Sequence, residues 1–242
     1  LIFFIHHVAT SIQASTILDN ITRETLAVID ELYPDAQRND LPEVEEAVDS
    51  LPEDAPWIDV PSPEMGYLQT VDTDSLVAWA GKHDQVVRMK RGIGEFVVVG
   101  KPLVSVAGRK KPTEEQLEEL PGCFSIASFR TIEKDVAFGI RQLVDVALKA
   151  LSPGVNDTTT AVDCLHHLGA LIERLGRRRF PGEVRRHMGT IRLIARLQTF
   201  EHLCDEALHQ IRQDARNNVS VYLALIDALH TAVSGELCAP RR

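Results

Sequence analysis

The chain has 242 residues, of which 44% are hydrophobic and 25% charged. This length and balance predict one large or two small folded domains and exclude disorder over the whole chain. A formal net charge of −9 argues against nucleic acid as the main partner, because phosphate binding needs a cationic surface. The cysteines are far apart with no Cys-x-x-Cys pair, which predicts core thiols in a reducing compartment, the cytoplasm, and neither disulfides nor a zinc site; they are Cys123, Cys164, Cys204 and Cys238.

Residues 1–34 predict a helix that leads from a missing membrane segment. Leu1 to Ile5 is strongly apolar, has no preceding methionine and carries no signal-peptide pattern. Five apolar residues cannot span a bilayer, which needs about 20. From Val8 to Leu32 the apolar residues follow helical spacing, and Tyr33-Pro34 ends the pattern. A truncated core helix is the alternative. The apolar positions include Ile12, Ile17, Ile21, Val28 and Leu32.

Residues 35–56 form an acidic linker, with eight carboxylates against one arginine and three prolines. This composition indicates a solvated connector, with one helical turn around residues 43–50. A metal site made of these carboxylates is the weaker alternative.

Residues 57–108 predict a small β module, because short runs of Val, Ile and aromatic residues alternate with Gly and Pro. Residues 94–106 indicate two strands around a Gly-Lys-Pro turn, and residues 74–82 indicate a helix. The stretch resembles the closing strands of biotinyl and lipoyl carrier domains, with Gly66-Tyr67-Leu68 as an opening strand. Lys90 precedes the turn, whereas a carrier needs its acceptor lysine at an earlier hairpin tip. The resemblance therefore implies a barrel-sandwich fold without biotin or lipoate.

Residues 109–121 form a charged linker, with a helix start at 112–115. Residues 122–242 form the predicted helical domain. It opens with a short strand at 123–126, and Thr131 is expected to cap a helix that runs to about Ala150. The apolar positions of that helix share one face and predict that it is buried; they are Val136, Ile140, Leu143, Val144, Ala147, Leu148 and Leu151.

A polar hinge follows this helix. Ser152-Pro153 is expected to end the helix, Gly154 to take a positive φ angle, and Asn156 or Asp157 to cap the next helix near Thr158. Capping and turn chemistry explain nearly every residue here. The alternative is a small polar pocket for an anion, a cation or a partner. The candidate ligand-binding residues are Arg141, Asp145, Ser152, Asn156, Asp157 and Arg212, and Arg141 and Asp145 can pair at i,i+4.

Two later clusters could in principle bind metal. Di-iron bundles use two Glu-x-x-His pairs, and only one pair is present here, so we predict no metal site and no cofactor. The apolar stripe of the second helix, which includes Phe200, Leu203 and Ile211, leaves Glu201, Asp205 and His209 facing solvent. The clusters consist of Asp163, His166 and His167, and of Glu201, His202, Asp205, Glu206 and His209.

Two further sequence features lie in the C-terminal part of the chain: an arginine-rich stretch and a short internal repeat. Arginines 177–179 and 185–186 indicate a solvated turn, or a contact with anionic lipid headgroups. Residues 190–195 predict a strand. The triplet 211–213 repeats Ile140-Arg141-Gln142, and Asn217-Asn218 echoes Asn156, which suggests a polar core with arginines turned toward asparagines.

Three motifs together resemble the bacterial family of predicted membrane proteins called domain of unknown function 2254. They are Gly66-Tyr67-Leu68-Gln69, Phe138-Gly139-Ile140-Arg141-Gln142-Leu143-Val144-Asp145, and Ala150-Leu151-Ser152-Pro153-Gly154-Val155-Asn156-Asp157. The resemblance implies transmembrane helices ahead of this region and a place at the bacterial inner membrane. The run Thr158-Thr159-Thr160 departs from the Pro-Phe-Thr expected there. The family supplies no activity or catalytic residue.

The prediction is therefore an α+β chain, mostly α, with a small barrel-sandwich-like β module followed by a C-terminal helical bundle. It would be the cytoplasmic part of a bacterial membrane protein and a homo-oligomer, with no nucleic acid partner. The leading function is a non-catalytic scaffold, oligomerisation or ligand-sensing role, such as a channel or transporter accessory. The alternative is a metal-dependent or anion-using enzyme centred on Arg141, Asn156 and Asp157.

Overall fold

The computed structural model describes residues 2–36, 56–215 and 218–234, and within them the side chains of 14–36, 56–215 and 218–231. Most of the predicted acidic linker, residues 37–55, lies outside the described residues. In chain order the elements are α1 (Ile2–Leu32), β1 (Ile58–Pro61), β2 (Gly66–Val71), α2 (Thr73–Lys82), β3 (Gln85–Met89), β4 (Phe96–Val97), β5 (Pro102–Gly108), α3 (Glu114–Glu118), β6 (Phe124–Ala127), α4 (Val136–Leu151), α5 (Thr158–Gly176), β7 (Val184–His187), β8 (Thr190–Ile194), α6 (Phe200–Asp214) and α7 (Val219–Ser234).

The chain folds into two compact units. The helical unit contains Leu1–Asp40, Val136–Phe180 and Thr199–Arg242, and the sheet unit contains Leu41–Asp135 and Pro181–Gln198. Residues 122–135 and 181–198 thus lie in the sheet unit, although the sequence grouped them with the helices. More residues are helical than extended, which confirms the predicted α+β, mostly α class.

Helix α5 is the centre of the helical unit, since it packs against α1, α4 and α7. Its fully buried side chains repeat every three or four residues, as expected for a helix with neighbours on several sides; they include Ala161, Cys164, Leu165, Leu168, Leu171 and Leu175. Helix α4 packs between α1, α5 and α6. Its predicted apolar stripe is confirmed at five of seven positions, because Val136, Ile140, Leu143, Val144 and Ala147 are all inaccessible to solvent. The other two, Leu148 and Leu151, are partly exposed.

Helix α1 ends before Tyr33-Pro34, as predicted. Its buried stripe differs from the predicted one: Ile17 is 51% exposed, while Thr22 and Thr25 are buried. Thr25 is tolerated inside because its hydroxyl donates to the carbonyl of Ile21 at 2.7 Å, which satisfies the polar group. The small side chain also lets α1 approach Gly139 of α4 closely.

The sheet unit contains two sheets. The five-stranded sheet has the order β1-β5-β3-β8-β7 and the three-stranded sheet the order β4-β2-β6. All pairs are antiparallel except β3 with β8, where Val87 pairs with Leu193 in parallel. The predicted strands at 123–126 and 190–195 and the helix at 74–82 are confirmed within one residue. The predicted opening strand at 66–68 is the first half of a longer strand that runs to Val71. The buried core includes Leu68, Leu76, Val87, Leu103, Val104, Val106 and Leu193.

The strands on either side of the Gly-Lys-Pro turn belong to different sheets, because β4 pairs with β2 while β5 pairs with β1 and β3. Gly100 takes a φ of 76° in that turn, and the amide of Lys101 donates to the carbonyl of Val98 at 3.0 Å. The barrel-sandwich description remains a prediction.

Thr131 does not cap α4, which begins only at Val136, so that prediction is wrong. Its hydroxyl instead donates to the side-chain oxygen of Gln69 at 2.7 Å. Asp135 is the last residue of the loop before α4. It is buried and accepts hydrogen bonds from Arg130 at 2.8 Å and from Gln198 at 3.1 Å. The ion pair of Arg130 and Asp135 thus lies directly before the first residue of α4.

Every helix in the part of the chain that the structure describes is too short or too polar to cross a lipid bilayer.

Candidate functional site

Arg141 lies at the contact between α4 and α6. Its guanidinium is 2.7 Å from Asp145 one turn along α4, which confirms the predicted pairing. It also donates to Gln210 at 2.8 Å and lies 3.4 Å from Glu206, both on α6. Burial lowers the pKa of Arg141, but the hydrogen bonds and charges of Asp145 and Glu206 outweigh it, so the pKa is raised. A guanidinium held by two carboxylates has little positive potential left for an anionic ligand.

The hinge between α4 and α5 is built as a capped turn. Asp157 caps α5, because its carboxylate accepts from the amide of Thr160 at 3.1 Å and from its hydroxyl at 2.7 Å. The hydroxyl of Ser152 donates to the carbonyl of Lys149 at 2.7 Å. Asn156, not Gly154, takes the left-handed conformation, with φ of 48°. Asparagine tolerates this region better than most residues, so Gly154 as the positive-φ position is wrong.

The predicted site residues fall into three groups. Arg141 and Asp145 lie together on α4; Ser152, Asn156 and Asp157 lie in the hinge; and Arg212 is exposed on α6. Along a helix that rises about 1.5 Å per residue, Arg141 is on the order of 16 Å from Ser152. The structure therefore does not bring the arginine to the hinge, and ligand binding by these residues remains a prediction.

The prediction that the arginine side chains point toward asparagines is wrong for Arg141, whose partners are carboxylates and a glutamine. Asn217 lies outside the described residues. Asn218 instead connects two helix starts: its amide donates to the hydroxyl of Thr158 at 2.8 Å, and its oxygen accepts from the amide of Val221 at 3.3 Å. The asparagine thus fixes the start of α7 against the start of α5.

The histidines and carboxylates of the two predicted clusters are dispersed. His167 forms a hydrogen bond of 2.9 Å with Thr22 and lies 3.7 Å from Asp19, and His209 lies 3.5 Å from Asp205 on its own helix. The exposed positions predicted for Glu201, Asp205 and His209 are confirmed. Within residues 2–36, 56–215 and 218–234, no three His, Cys, Asp or Glu side chains are placed to hold a metal ion.

The buried thiol of Cys164 lies in the middle of α5. Burial raises its pKa to about 12, and the nearby charge of Asp163 adds to the shift. The thiol therefore stays protonated at neutral pH, and only the thiolate is a nucleophile. Cys164 packs as a small apolar residue.

The strongest polar constellation was not predicted, and it joins the end of α1 to the end of α5. We call it the α1–α5 clamp and define it by residues 30–36 and 174–180. Arg174 binds Asp30 with two hydrogen bonds of 2.8 and 2.7 Å. Arg178 also pairs with Asp30, lies 2.8 Å from Asp35, and donates to the carbonyl of Tyr33 at 3.3 Å. The negative charges of two carboxylates thus balance the positive charges of two guanidiniums.

Backbone and ring contacts reinforce the clamp. The amide of Ala36 donates to the carbonyl of Arg177 at 3.0 Å, and the amide of Arg179 donates to the carbonyl of Pro34 at 2.9 Å. The rings of Tyr33 and Phe180 lie 4.6 Å apart. The chain after α1 is therefore held as an extra short ladder against the chain after α5.

The arginine run was predicted to be a solvated turn or a lipid-binding patch, and the clamp corrects this for Arg178. Only 5% of Arg178 is exposed, whereas its neighbours Arg177 and Arg179 are exposed. Arginine is rarely buried unless it is paired, so the pairing with Asp30 explains the position. One sequence signal was available: Asp30 and Asp35 flank the helix end at Tyr33-Pro34.

The clamp predicts an acid-sensitive helical unit. The hydrogen bonds of Arg174, with help from Arg178, hold the pKa of Asp30 below its usual range, although burial opposes this. A lowered pKa in the folded state gives stability that is present above the unfolded value of about 3.9 and is lost as pH falls through the folded value. We expect the free energy of unfolding to decrease below about pH 4, and Asp30→Asn to flatten that decrease in urea titrations. An equally steep decrease in the variant would contradict this origin.

Among the described residues, five helices form one compact unit and two sheets lie in the other. This architecture defines an α+β protein. The chain belongs to the domain of unknown function 2254 family, whose description is "predicted membrane protein", and residues 1–231 match the family model. This confirms the family expected from the three motifs.

Curated relatives agree with this assignment. Uncharacterised proteins of Mycobacterium tuberculosis and Mycobacterium bovis are each 34% identical over 248 residues, covering 100% of this chain and 46% of the relative. The chain thus spans about half the length of the curated relatives it matches.

Proposed function

We propose that this chain is the cytoplasmic, extramembrane part of a bacterial membrane protein and that it acts as a non-catalytic scaffold coupled to the membrane part through α1. The family description supports the membrane context. Cys123 and Cys164 are free thiols, which supports a reducing compartment. Scaffolding here covers oligomerisation and the transmission of a ligand-induced movement, as a channel or transporter accessory would need.

The observation that carries the proposal is the α1–α5 clamp. Helix α1 is 31 residues long, and its sequence begins with the apolar residues 2–5. Its other end is fixed to the central helix of the helical unit by Arg174 and Arg178. A helix fixed at one end to a packed core moves with that core, because packed elements shift as units and do not deform continuously.

The hinge supports a structural role as well. Asp157 and Ser152 use their side-chain oxygens in local hydrogen bonds, and Arg141 is neutralised by carboxylates on α4 and α6. These are capping and packing contacts, so the enzyme alternative gains no support from the geometry of these residues.

Hydrogen exchange tests the coupling. In the wild-type chain we expect the amides of residues 14–32 in α1 to open with the same free energy as those of α5, as one cooperative unit. Arg174→Ala removes the two-bond contact with Asp30. Because this pair is half exposed, we expect about three- to fivefold faster exchange in α1 and α5 alike.

Arg177→Ala is the matched control, since Arg177 pairs with Glu173 on its own helix and its side chain is 56% exposed. This control should leave the exchange of α1 unchanged. If the amides of α1 exchange far faster than those of α5 in the wild-type chain, the two helices are not coupled and the proposal fails.

A further inference from the structure

Helix α7 has two apolar faces. The inner face consists of Val221, Ala224, Leu225 and Ala228, which are buried and lie on the side that packs against α5. The outer face consists of Val219, Tyr222, Leu223, Ile226 and Leu229, and these side chains are 42–70% exposed. We call these five residues the α7 stripe. A helix on the surface of a monomer normally has polar residues on its outer side, so the stripe calls for an explanation.

The spacing of the stripe is that of a helix-pairing seam. Val219, Tyr222, Ile226 and Leu229 follow steps of three and four residues, which are the a and d positions of a heptad. Leu223 widens the seam by one flanking position. A seam of this kind packs against a second helix with the same spacing, because knobs from each helix fill holes on the other.

The charge of α7 distinguishes between two apolar partners, a membrane surface and a second copy of α7. Residues 219–234 contain no lysine or arginine, and apart from the tyrosine Tyr222 their ionisable groups are Asp227 and His230. Helices that lie on a membrane surface carry Lys and Arg to attract anionic headgroups, and α7 has none. Two copies of α7 can meet with few like charges in contact, although each chain carries a net charge of −9.

We propose that the α7 stripe is the self-association surface of this protein and that its partner is α7 of a second copy, related by a two-fold axis. Such an interface uses the same patch on both subunits. The inference rests on the scaffold function proposed above and names the partner of that scaffold. Its own observations are those of α7 and do not include the α1–α5 clamp.

The size of the stripe sets the strength of the dimer. Five half-exposed apolar side chains are on the scale of the largest patch of a typical monomer, about 300–600 Å². A standard interface buries about 800 Å² on each partner. The free chain should therefore dimerise weakly and in a concentration-dependent way, and attachment to a common membrane part would raise the effective concentration.

Sedimentation velocity over a concentration series tests the proposal. We expect the weight-average sedimentation coefficient of the wild-type chain to rise with concentration toward that of a dimer. The double variant Leu223→Glu/Ile226→Glu should stay monomeric, with dimerisation weakened by more than about 100-fold, because it places like charges against each other. Both positions are exposed and glutamate is a good helix former, so the fold should be kept, as circular dichroism can verify.

A charge-swap experiment identifies the partner. Leu223→Lys/Ile226→Lys should also be monomeric alone, whereas an equimolar mixture of the lysine and glutamate variants should associate again. This recovery, together with a wild-type dimer that each variant alone loses, is the result expected for a contact between two copies of the same face. Met188→Glu is the matched control, since Met188 is 92% exposed on the sheet unit, and it should dimerise like the wild-type chain.

Three results would overturn the proposal. They are a wild-type chain that stays monomeric at every concentration, a dimer that survives the Leu223→Glu/Ile226→Glu substitutions, or a mixture that fails to associate. Binding of the wild-type chain to neutral phosphatidylcholine vesicles, lost in the glutamate variant without any dimer, would assign the stripe to lipid instead. Failure of the dimer would leave the exchange behaviour of Arg174→Ala untouched, so the two proposals fail separately.

Discussion

Replacement of Arg178 by alanine is expected to lower the free energy of unfolding of the helical unit by about 2–3 kcal/mol. The buried side chain fills space between α1 and α5, pairs with Asp30 and Asp35, and satisfies the carbonyl of Tyr33. Alanine leaves a cavity and removes this donor to the carbonyl of Tyr33. The cost stays below that of stranding a buried charge, because both carboxylates are partly exposed. Guanidinium denaturation monitored by circular dichroism measures the change.

Two further variants separate packing from charge in this clamp. Arg178→Met restores most of the buried volume without the ion pairs, so it should recover part of the loss. Arg177→Ala, at the exposed neighbouring position, should change stability by less than about 0.5 kcal/mol. Equal effects of Arg177→Ala and Arg178→Ala would mean that the clamp contributes nothing specific.

Gly139→Ala is expected to destabilise the chain by about 2 kcal/mol, although alanine favours a helix by about 1 kcal/mol over glycine. A Cβ at Gly139 would lie 2.8 Å from Cγ2 and 3.0 Å from Cβ of Thr25, with the hydroxyl of Thr25 closer still. Thr25 is fully buried and has a stiff side chain, so α1 and α4 must move apart. Thermal and urea denaturation give the size of the effect.

A double-mutant cycle identifies the clash. Thr25→Ala removes the hydroxyl and the methyl group that meet the new Cβ, so Gly139→Ala should cost much less in a Thr25→Ala background. Gly154→Ala serves as a control, because a Cβ at Gly154 meets nothing within 4 Å. Additive effects of the two substitutions would exclude the close approach as the cause.

Local signals predicted the elements around the hinge well. The stripe of α4, the stop at Ser152-Pro153 and the start of α5 at Thr158 depend on residues within a few positions of each other. The pairing of Arg141 with Asp145 follows from helix spacing alone. Glu206 and Gln210 could not be assigned to Arg141, because their approach depends on how α6 packs against α4.

The sequence predictions that were wrong also have physical explanations. Thr131 has the residue type of an N-cap, but its hydroxyl binds Gln69, and the helix begins only at Val136, after the ion pair of Arg130 and Asp135. Gly154 is the residue that most easily takes a positive φ, yet Asn156 takes it, directly before Asp157, whose carboxylate accepts from the amide of Thr160. The burial of Arg178 depends on Asp30, 148 residues earlier. A local sequence pattern cannot predict a contact between residues so far apart in the chain.

The parallel pairing of β3 with β8 has a consequence for synthesis of the chain. Val87 in β3 meets Leu193 in β8, and α4 and α5 are made between them. At about 5–20 residues per second, roughly 5–20 s separate the two strands on the ribosome. During that interval β3 presents an open, apolar edge of the kind that invites aggregation. A fragment that stops before β7 would keep this edge permanently, so the sheet unit reaches its final form only after the helices α4 and α5 have been synthesised.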